Sequence, residues 1–248
     1  MEKKKKKTIL IILLLIIFLL IIYFSYRIFL NYKDDNEIKQ ELKEIKNEVI
    51  IPEKEPKDID ESKEKEEISK LELNFNKLKS INNDTVAWIR VSGTDIDYPI
   101  VQSTDNSYYL NHSFYKDINM NGWIFENSNN NKDFNDENTV LFGHNTNSST
   151  MFSELKGIYK GEYGNNISIS IYLENNNYTY KVFSIYLDSP NNTTSISEYT
   201  NSYTLKEMKD KSKINFNIDI TENDRILTLS TCNNITDDRI IMHAKRIN

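Results

Sequence analysis

The chain has 248 residues, of which 31 are basic and 37 acidic, so its formal net charge is −6. Residues 1–30 hold six basic residues and one acidic residue, which leaves 25 basic and 36 acidic residues, a net of −11, in the remainder. A remainder this acidic argues against nucleic-acid binding, because phosphate neutralisation needs clustered Lys and Arg. One cysteine and three histidines exclude an intramolecular disulfide and argue against a Cys-rich or His-rich metal centre. We therefore expect neither a metal nor another cofactor.

An apolar run from Ile9 to Phe24 follows the N-terminal lysines and continues, after a short polar break, to Leu30. As a helix, Ile9–Leu30 would be roughly 33 Å long, enough to cross the hydrocarbon core of a bilayer. No small-x-small cleavage pattern follows the run, which favours an uncleaved signal-anchor. The lysines predict a cytoplasmic N-terminus and place the rest of the chain outside the cell membrane. Residues 1–30 are thus predicted to be a cytoplasmic tail and transmembrane helix.

Residues 31–70 are rich in Lys, Glu and Asp and are predicted to form an extracellular stalk or linker. Four apolar residues at helical spacing cross its first half: Ile38, Leu42, Ile45 and Val49. This stripe could pair with another chain as a short coiled coil. A loosely ordered spacer is favoured, because the stripe is shorter than three heptads. Pro52 and Pro56 then interrupt it. A second helical stripe crosses the boundary between the stalk and the third predicted domain, residues 71–248: Ile68, Leu71, Phe75 and Leu78.

From Asp84 onward, short β-rich runs are bounded by Asn, Gly, Asp and Ser. A hairpin with its turn at 92–94 is predicted from TVAWIRV (85–91) and DIDYPIV (95–101). Further strands are predicted at 122–126, 139–143, 167–173, 178–187, 226–231 and 239–247, with short helices over Thr150–Lys156 and Thr204–Lys211. Many short strands without βαβ alternation favour a mainly β fold, an antiparallel barrel or sandwich.

Cys232 ends the apolar run ILTLST and precedes the polar segment NNITDD. A free cysteine is usually a buried small hydrophobe. However, an exported thiol risks oxidation and mispairing, so a single extracellular cysteine requires a reason. Both interpretations of Cys232, structural and catalytic, stay open on its own pattern.

A cysteine nucleophile needs a proton carrier, usually histidine. His144 follows the predicted strand 139–143. Gly143 leaves space beside its imidazole and a polar segment follows it, which favours a position at the rim of the domain rather than in its core. His112 lies in a predicted loop and stays a competitor. His243 lies within a predicted strand, where a packed or surface-facing structural role is favoured.

Arg239 begins the strand after the Cys232 loop. If that loop joins a hairpin, Arg239 lies beside Cys232, where a guanidinium could hold a peptide carbonyl or stabilise an oxyanion. The alternative is an exposed arginine that balances neighbouring aspartates. Arg225 and Arg246 are other candidates, although Arg246 lies too far along the strand to meet Cys232.

Three segments in this order resemble class B sortases. TLSTC (228–232), with Arg239 starting the next strand, resembles the active-site pair of a sortase. LFGHNTNSSTMFSELKGIY (141–159) resembles the class B histidine segment, and residues 81–125 are similar to the class B amino-terminal region. The resemblance covers about residues 70–248. It implies an eight-stranded sortase β-barrel with accessory helices, preceded by a transmembrane helix and helical stalk.

The resemblance also implies roles for particular residues. Cys232 is then the nucleophile, His144 the general acid/base, and Arg239 the residue that stabilises the oxyanion and orients the substrate. Ser230 and Thr231, at the same strand end, are hypothesised to line the substrate groove.

A class B sortase would be a membrane-anchored cysteine transpeptidase on the cell-wall side. Its expected substrates are secreted surface proteins with a C-terminal sorting motif, cleaved after Thr through a thioacyl-enzyme. The acceptor would be an amine of peptidoglycan or its lipid-linked precursor. A hydrolytic cysteine peptidase, a pilin-polymerising sortase and a non-catalytic surface scaffold are the alternatives.

Overall fold

A single helix, α1 (Glu2–Val49), carries the apolar run and continues beyond it. The computed structural model describes residues 2–51, 71–146, 148, 150–189, 205–232 and 238–248. Within these ranges, one helix is long and apolar enough to cross a membrane, and its most apolar stretch is unburied. That helix is α1, so the predicted transmembrane helix and the first part of the predicted stalk form one continuous element.

The stalk part of α1 packs against the rest of the chain. Ile38, Ile45 and Val49 are completely buried and belong to the same hydrophobic core as the barrel residues. Lys46 forms an ion pair of 2.9 Å with Asp97. The expectation of a loosely ordered spacer or an intermolecular coiled coil for this stripe was therefore wrong, because the stripe is covered by the chain's own domain. Residues 52–70, with Pro52, Pro56 and Ile68, lie outside the described residues.

The remaining elements are short, as the β-rich pattern predicted. The first strands are β1 (Ile50–Ile51), β2 (Glu72–Leu73), β3 (Thr85–Val91), β4 (Asp97–Val101) and β5 (Phe125–Glu126). The later strands are β6 (Asn138–Phe142), β7 (Ser168–Tyr172), β8 (Asn177–Asp188), β9 (Ile226–Cys232) and β10 (Arg239–Arg246). Short helices are α2 (Phe75–Ile81), α3 (Leu155–Lys160) and α4 (Leu205–Asp210), with a 3₁₀ turn at Tyr108–Leu110.

Strands β3 to β10 form a closed barrel in the order β10-β8-β7-β3-β4-β5-β6-β9, while β1 and β2 pair separately. The eight-stranded barrel predicted from the family resemblance is thus confirmed. Six of its junctions are antiparallel, but β4–β5 and β6–β9 are parallel, which departs from the expected antiparallel arrangement. The connections before β5 and β9 are long enough to return the chain to the same end of the barrel, so these pairs run in parallel.

Both predicted short helices are present, although the first of them begins at a later residue than predicted. The helix expected over Thr150–Lys156 begins later, at Leu155, because Thr150 and Met151 instead form a tight loop in which Met151 bridges Asn145. Gly161 ends this helix with φ +85, the left-handed conformation typical of a glycine that follows a helix. The helix expected from Thr204 is α4, whose described part begins at Leu205.

Candidate active site

Three neighbouring strands bring the predicted site residues to one end of the barrel. Strands β6 and β9 are parallel, with Phe142 opposite Ser230, and the Gly143 amide donates to the Ser230 carbonyl at 3.3 Å. His144 follows Phe142 by two residues, as Cys232 follows Ser230, so both come at the same end of the β6–β9 pair. Arg239, the first residue of β10, pairs directly with Cys232, the last residue of β9. Strand pairing thus brings His144 and Cys232, which are 88 positions apart in the sequence, to the same end of the barrel.

His144 is partly buried, and its Nε2 lies 2.7 Å from the carbonyl oxygen of Leu110. Because a carbonyl only accepts, Nε2 carries the proton, and Nδ1 is the basic nitrogen of the neutral ring. Burial lowers the pKa of His144 below its ordinary value; the Leu110 hydrogen bond opposes this change, and the positive charge of Arg239 adds to it. The neutral imidazole is therefore favoured at neutral pH, and His144 and Arg239 interact electrostatically.

The segment after His144 is held by its own hydrogen bonds. The Phe152 amide donates to the His144 carbonyl at 3.0 Å, and the Thr146 amide donates to Ser153 Oγ at 2.8 Å. A Cβ added at Gly143 would lie 2.8 Å from the Phe152 ring. Gly143 is thus required because Phe152 packs against it, a different reason from the space beside the imidazole that the sequence suggested.

Arg239 is partly buried and has a strand on each side. It pairs with Cys232 of β9 and with Asp188 of β8. This position fixes the backbone of Arg239 at the same end of the barrel as His144. A guanidinium there can donate to a carbonyl or an oxyanion at the strand ends.

Ser230 and Thr231 occupy opposite faces of β9. Thr231 shares the strand face of Leu227 and Leu229, which are core residues, and its Oγ1 is buried without a hydrogen-bond partner in the described part of the chain. Ser230 lies on the opposite face of β9 from these core residues, since side chains alternate between the two faces of a strand. Both are buried. Ser230 therefore points away from the part of the core that encloses the Thr231 side chain.

The competing histidines have other partners. His112 stacks on Tyr108, with ring centroids 4.1 Å apart, and its Nδ1 lies 2.7 Å from the Tyr108 carbonyl. His243 is completely buried between Tyr186 Oη, 2.9 Å from Nε2, and Thr228 Oγ1, 2.8 Å from Nδ1. Burial lowers the pKa of His243 to about 3, so it stays neutral. The packed structural role expected for His243 is confirmed.

The competing arginines lie elsewhere. Arg246 is at the far end of β10, where its guanidinium stacks on Tyr178 at 4.3 Å. Arg225 immediately precedes β9, at the end opposite Cys232. No group of three or more His, Cys, Asp or Glu side chains within the described ranges is arranged to hold a metal ion.

Sequence reasoning missed the residues that position the His144 ring. Gly122 has φ +55, and a Cβ there would lie 2.3 Å from the Tyr109 carbonyl oxygen and 2.7 Å from that of Leu110. The Leu110 carbonyl that contacts His144 therefore rests directly against a glycine. The available signal was compositional: with only six glycines in the chain, each one marks a position where a side chain is poorly tolerated.

Comparison with known proteins is consistent with this architecture. Residues 89–247 match the Sortase domain family. The chain is 32% identical over 183 residues to sortase B of Listeria monocytogenes, covering 68% of this chain and 72% of the relative. It is 35% identical over 182 residues to sortase B of Staphylococcus aureus, covering 70% and 74%. The X-ray structure of Clostridium perfringens sortase B superposes with a TM-score of 0.64 at 36% identity, covering 71% of this chain and all of that one. The chain therefore belongs to the sortase family and is a class B-like cysteine transpeptidase.

Proposed function

We propose that this sortase is anchored in the cell membrane by residues 9–30 and acts on the cell-wall side. It cleaves the C-terminal sorting signal of secreted proteins after Thr, forms a thioacyl-enzyme on Cys232, and transfers the protein to a peptidoglycan amine. The observation that supports the proposal is the strand register: Arg239 pairs with Cys232, and Phe142, two residues before His144, pairs with Ser230, two residues before Cys232.

In the first half-reaction, the Cys232 sulfur attacks the Thr carbonyl carbon of the sorting signal. The lowered pKa of His144 keeps its imidazole neutral in the resting enzyme, so it can take the thiol proton. Arg239 stabilises the negative charge that develops on the carbonyl oxygen. The C–N bond then breaks, His144 returns the proton to the leaving amine, and a thioester to Cys232 is left.

In the second half-reaction, an amine of the acceptor attacks the thioester carbonyl. His144 accepts the proton that the amine loses, and the thiolate of Cys232 leaves and is reprotonated. A thioester reacts readily with amines, so transfer can outrun hydrolysis without complete exclusion of water. Ser230 and the backbone of Thr231 are proposed to line the groove that holds the sorting signal.

The substrate assignment is tested with the detergent-solubilised full chain, a library of sorting peptides and a panel of peptidoglycan-derived amines. We expect cleavage only after Thr, with the amine joined to the new carboxyl end. A product that carries no amine at saturating acceptor would identify a hydrolytic peptidase instead. Preference for a lysine side chain of a pilin over every peptidoglycan amine would identify a pilin-polymerising sortase.

The contact between Gly122 and Leu110 yields a separate prediction. Gly122→Ala would push the Leu110 carbonyl away from His144, and kcat/KM for a sorting peptide is expected to fall about tenfold or more, since small misplacements of catalytic groups are costly. Gly93→Ala is the matched control, because Gly93 has φ +76 but open space where the Cβ would be. Equal activity of the two variants, once both are shown to be folded by thermal unfolding, would contradict the positioning role.

A further inference from the structure

Loop 111–121 is the part of the barrel domain that contacts α1 nearest to the apolar run, among the contacts described. Asn119 Nδ2 donates to the carbonyl of Asp34 at 3.2 Å, and Asn121 Nδ2 donates to Asp35 Oδ1 at 2.6 Å. Asp34 and Asp35 follow Leu30 by four and five residues, which is about 6–8 Å along a helix. The loop therefore lies just beyond the end of the segment that is long and apolar enough to span a membrane.

This loop presents two large apolar side chains away from the protein. Ile118 is 78% exposed and Met120 is 65% exposed, whereas Asn119 between them is 3% exposed. The alternation gives the loop one face that holds α1 and one face that is apolar.

The backbone of the loop is held in place by its own hydrogen bonds. The Asn119 amide donates to the Asn111 carbonyl at 3.0 Å, and Ile118 forms an antiparallel bridge with His112. The loop that carries Ile118 and Met120 is therefore ordered by backbone hydrogen bonds.

We propose that Ile118 and Met120 insert into the interfacial layer of the bilayer that α1 crosses; this rests on the membrane anchoring proposed above. The interfacial layer extends about 5–8 Å beyond the hydrocarbon core on each side, which matches the height of the loop along α1. Tyr32 of α1, 66% exposed, lies at the same level, and tyrosine favours this layer. Apolar side chains at such a boundary gain free energy from burial among the acyl chains.

Membrane contact at this loop has a consequence for the active site. The loop continues directly from Leu110, whose carbonyl lies 2.7 Å from His144 Nε2. Insertion of Ile118 and Met120 therefore fixes the orientation of the active site relative to the bilayer, in addition to the tether that α1 provides.

The single cysteine allows a direct test. In the full chain carrying Cys232→Ser, one cysteine is introduced at Ile118 or Met120, spin-labelled and reconstituted into vesicles of phosphatidylcholine and phosphatidylglycerol. Lys77→Cys is the aqueous control, because Lys77 pairs at 2.9 Å with Glu48, about 21 Å farther along α1 than Asp34. A label at Ile16→Cys reports the accessibility expected inside the hydrocarbon core, because Ile16 lies within the apolar run. Accessibility to oxygen and to a water-soluble nickel complex is measured by electron paramagnetic resonance.

We expect the ratio of oxygen to nickel accessibility at positions 118 and 120 to exceed that at 77 severalfold and to lie below that at 16. Ratios at 118 and 120 equal to that at 77, with a lipid-like ratio at 16, would overturn the inference while leaving the anchor intact. A ratio at position 16 as low as that at position 77 would overturn both the membrane anchor and the insertion of the loop. Low accessibility to both reagents at 118 and 120, with spin–spin broadening, would show that a second copy of the chain covers the pair, and would also overturn it.

Discussion

Cys232→Ala is expected to abolish cleavage of sorting peptides. The substitution removes the only thiol in the chain, which lies at the end of β9, paired with Arg239 and at the same end of the barrel as His144. Loss of a nucleophile from an assembled site costs on the order of 10⁴-fold or more in kcat, which lies below the detection limit of a peptide-cleavage assay. The measurement is the initial rate of cleavage of a fluorogenic sorting peptide by wild-type and variant full chains.

Two controls separate chemistry from folding in this experiment. The thermal unfolding of Cys232→Ala should match that of the wild type, and the variant should still bind the sorting peptide. Cys232→Ser should be equally inactive, because a serine hydroxyl is far more weakly acidic than a thiol and the site is built for a thiolate. Near-wild-type turnover by Cys232→Ala would favour the scaffold interpretation, with Cys232 only a buried side chain.

Arg239→Lys is expected to lose most of the activity although the positive charge is kept. A lysine lacks the planar fork that can donate two parallel hydrogen bonds to a carbonyl or oxyanion. Loss of one oxyanion donor costs about 100-fold in rate, so a fall in kcat/KM of that order is expected. The measurement is kcat/KM for the same fluorogenic peptide across a range of pH.

Arg239→Gln distinguishes the geometry of Arg239 from its charge. The charge of Arg239 contributes to the lowered pKa of His144, so its removal raises that pKa toward the ordinary value. Activity that needs neutral His144 falls as the pH drops through this pKa. As the pH is lowered, activity should therefore begin to fall at a higher pH in Arg239→Gln than in the wild type. In Arg239→Lys, which keeps the charge, it should begin to fall at the same pH as in the wild type. Near-wild-type kcat/KM for Arg239→Lys would contradict the assigned role.

Much of the site was predictable because it lies at strand ends. The apolar runs before His144 and Cys232, and the run after Arg239, mark three strands whose ends carry the polar residues. A hairpin between β9 and β10 also follows from their short connection, and it pairs Arg239 with Cys232. The parallel pairing of β6 with β9 could not be read locally, because it joins strands that are far apart in the sequence.

Other features escaped prediction for identifiable physical reasons. The stripe of Ile38, Ile45 and Val49 reveals an apolar face of α1 but not what covers it, and the covering surface proved to be the barrel domain itself. The contact of His144 with Leu110 involves a backbone carbonyl, which every residue possesses, so no side-chain pattern marks it. The sequence marks this contact only through Gly122, one of six glycines in the chain. The structure explains that glycine, since its positive φ and close carbonyl contacts admit no larger residue without rearrangement.

A thioacyl intermediate on Cys232 is tested most directly by intact-mass spectrometry of the wild-type full chain with a sorting peptide. We expect a covalent adduct whose mass equals that of the amino-terminal part of the peptide ending in Thr, and proteolysis should map this adduct to Cys232. Addition of an amine acceptor should discharge the adduct and release a peptide–amine product. An adduct on another residue, or active cleavage that proceeds with no adduct on Cys232 and no amine incorporation, would contradict a transpeptidase whose nucleophile is Cys232.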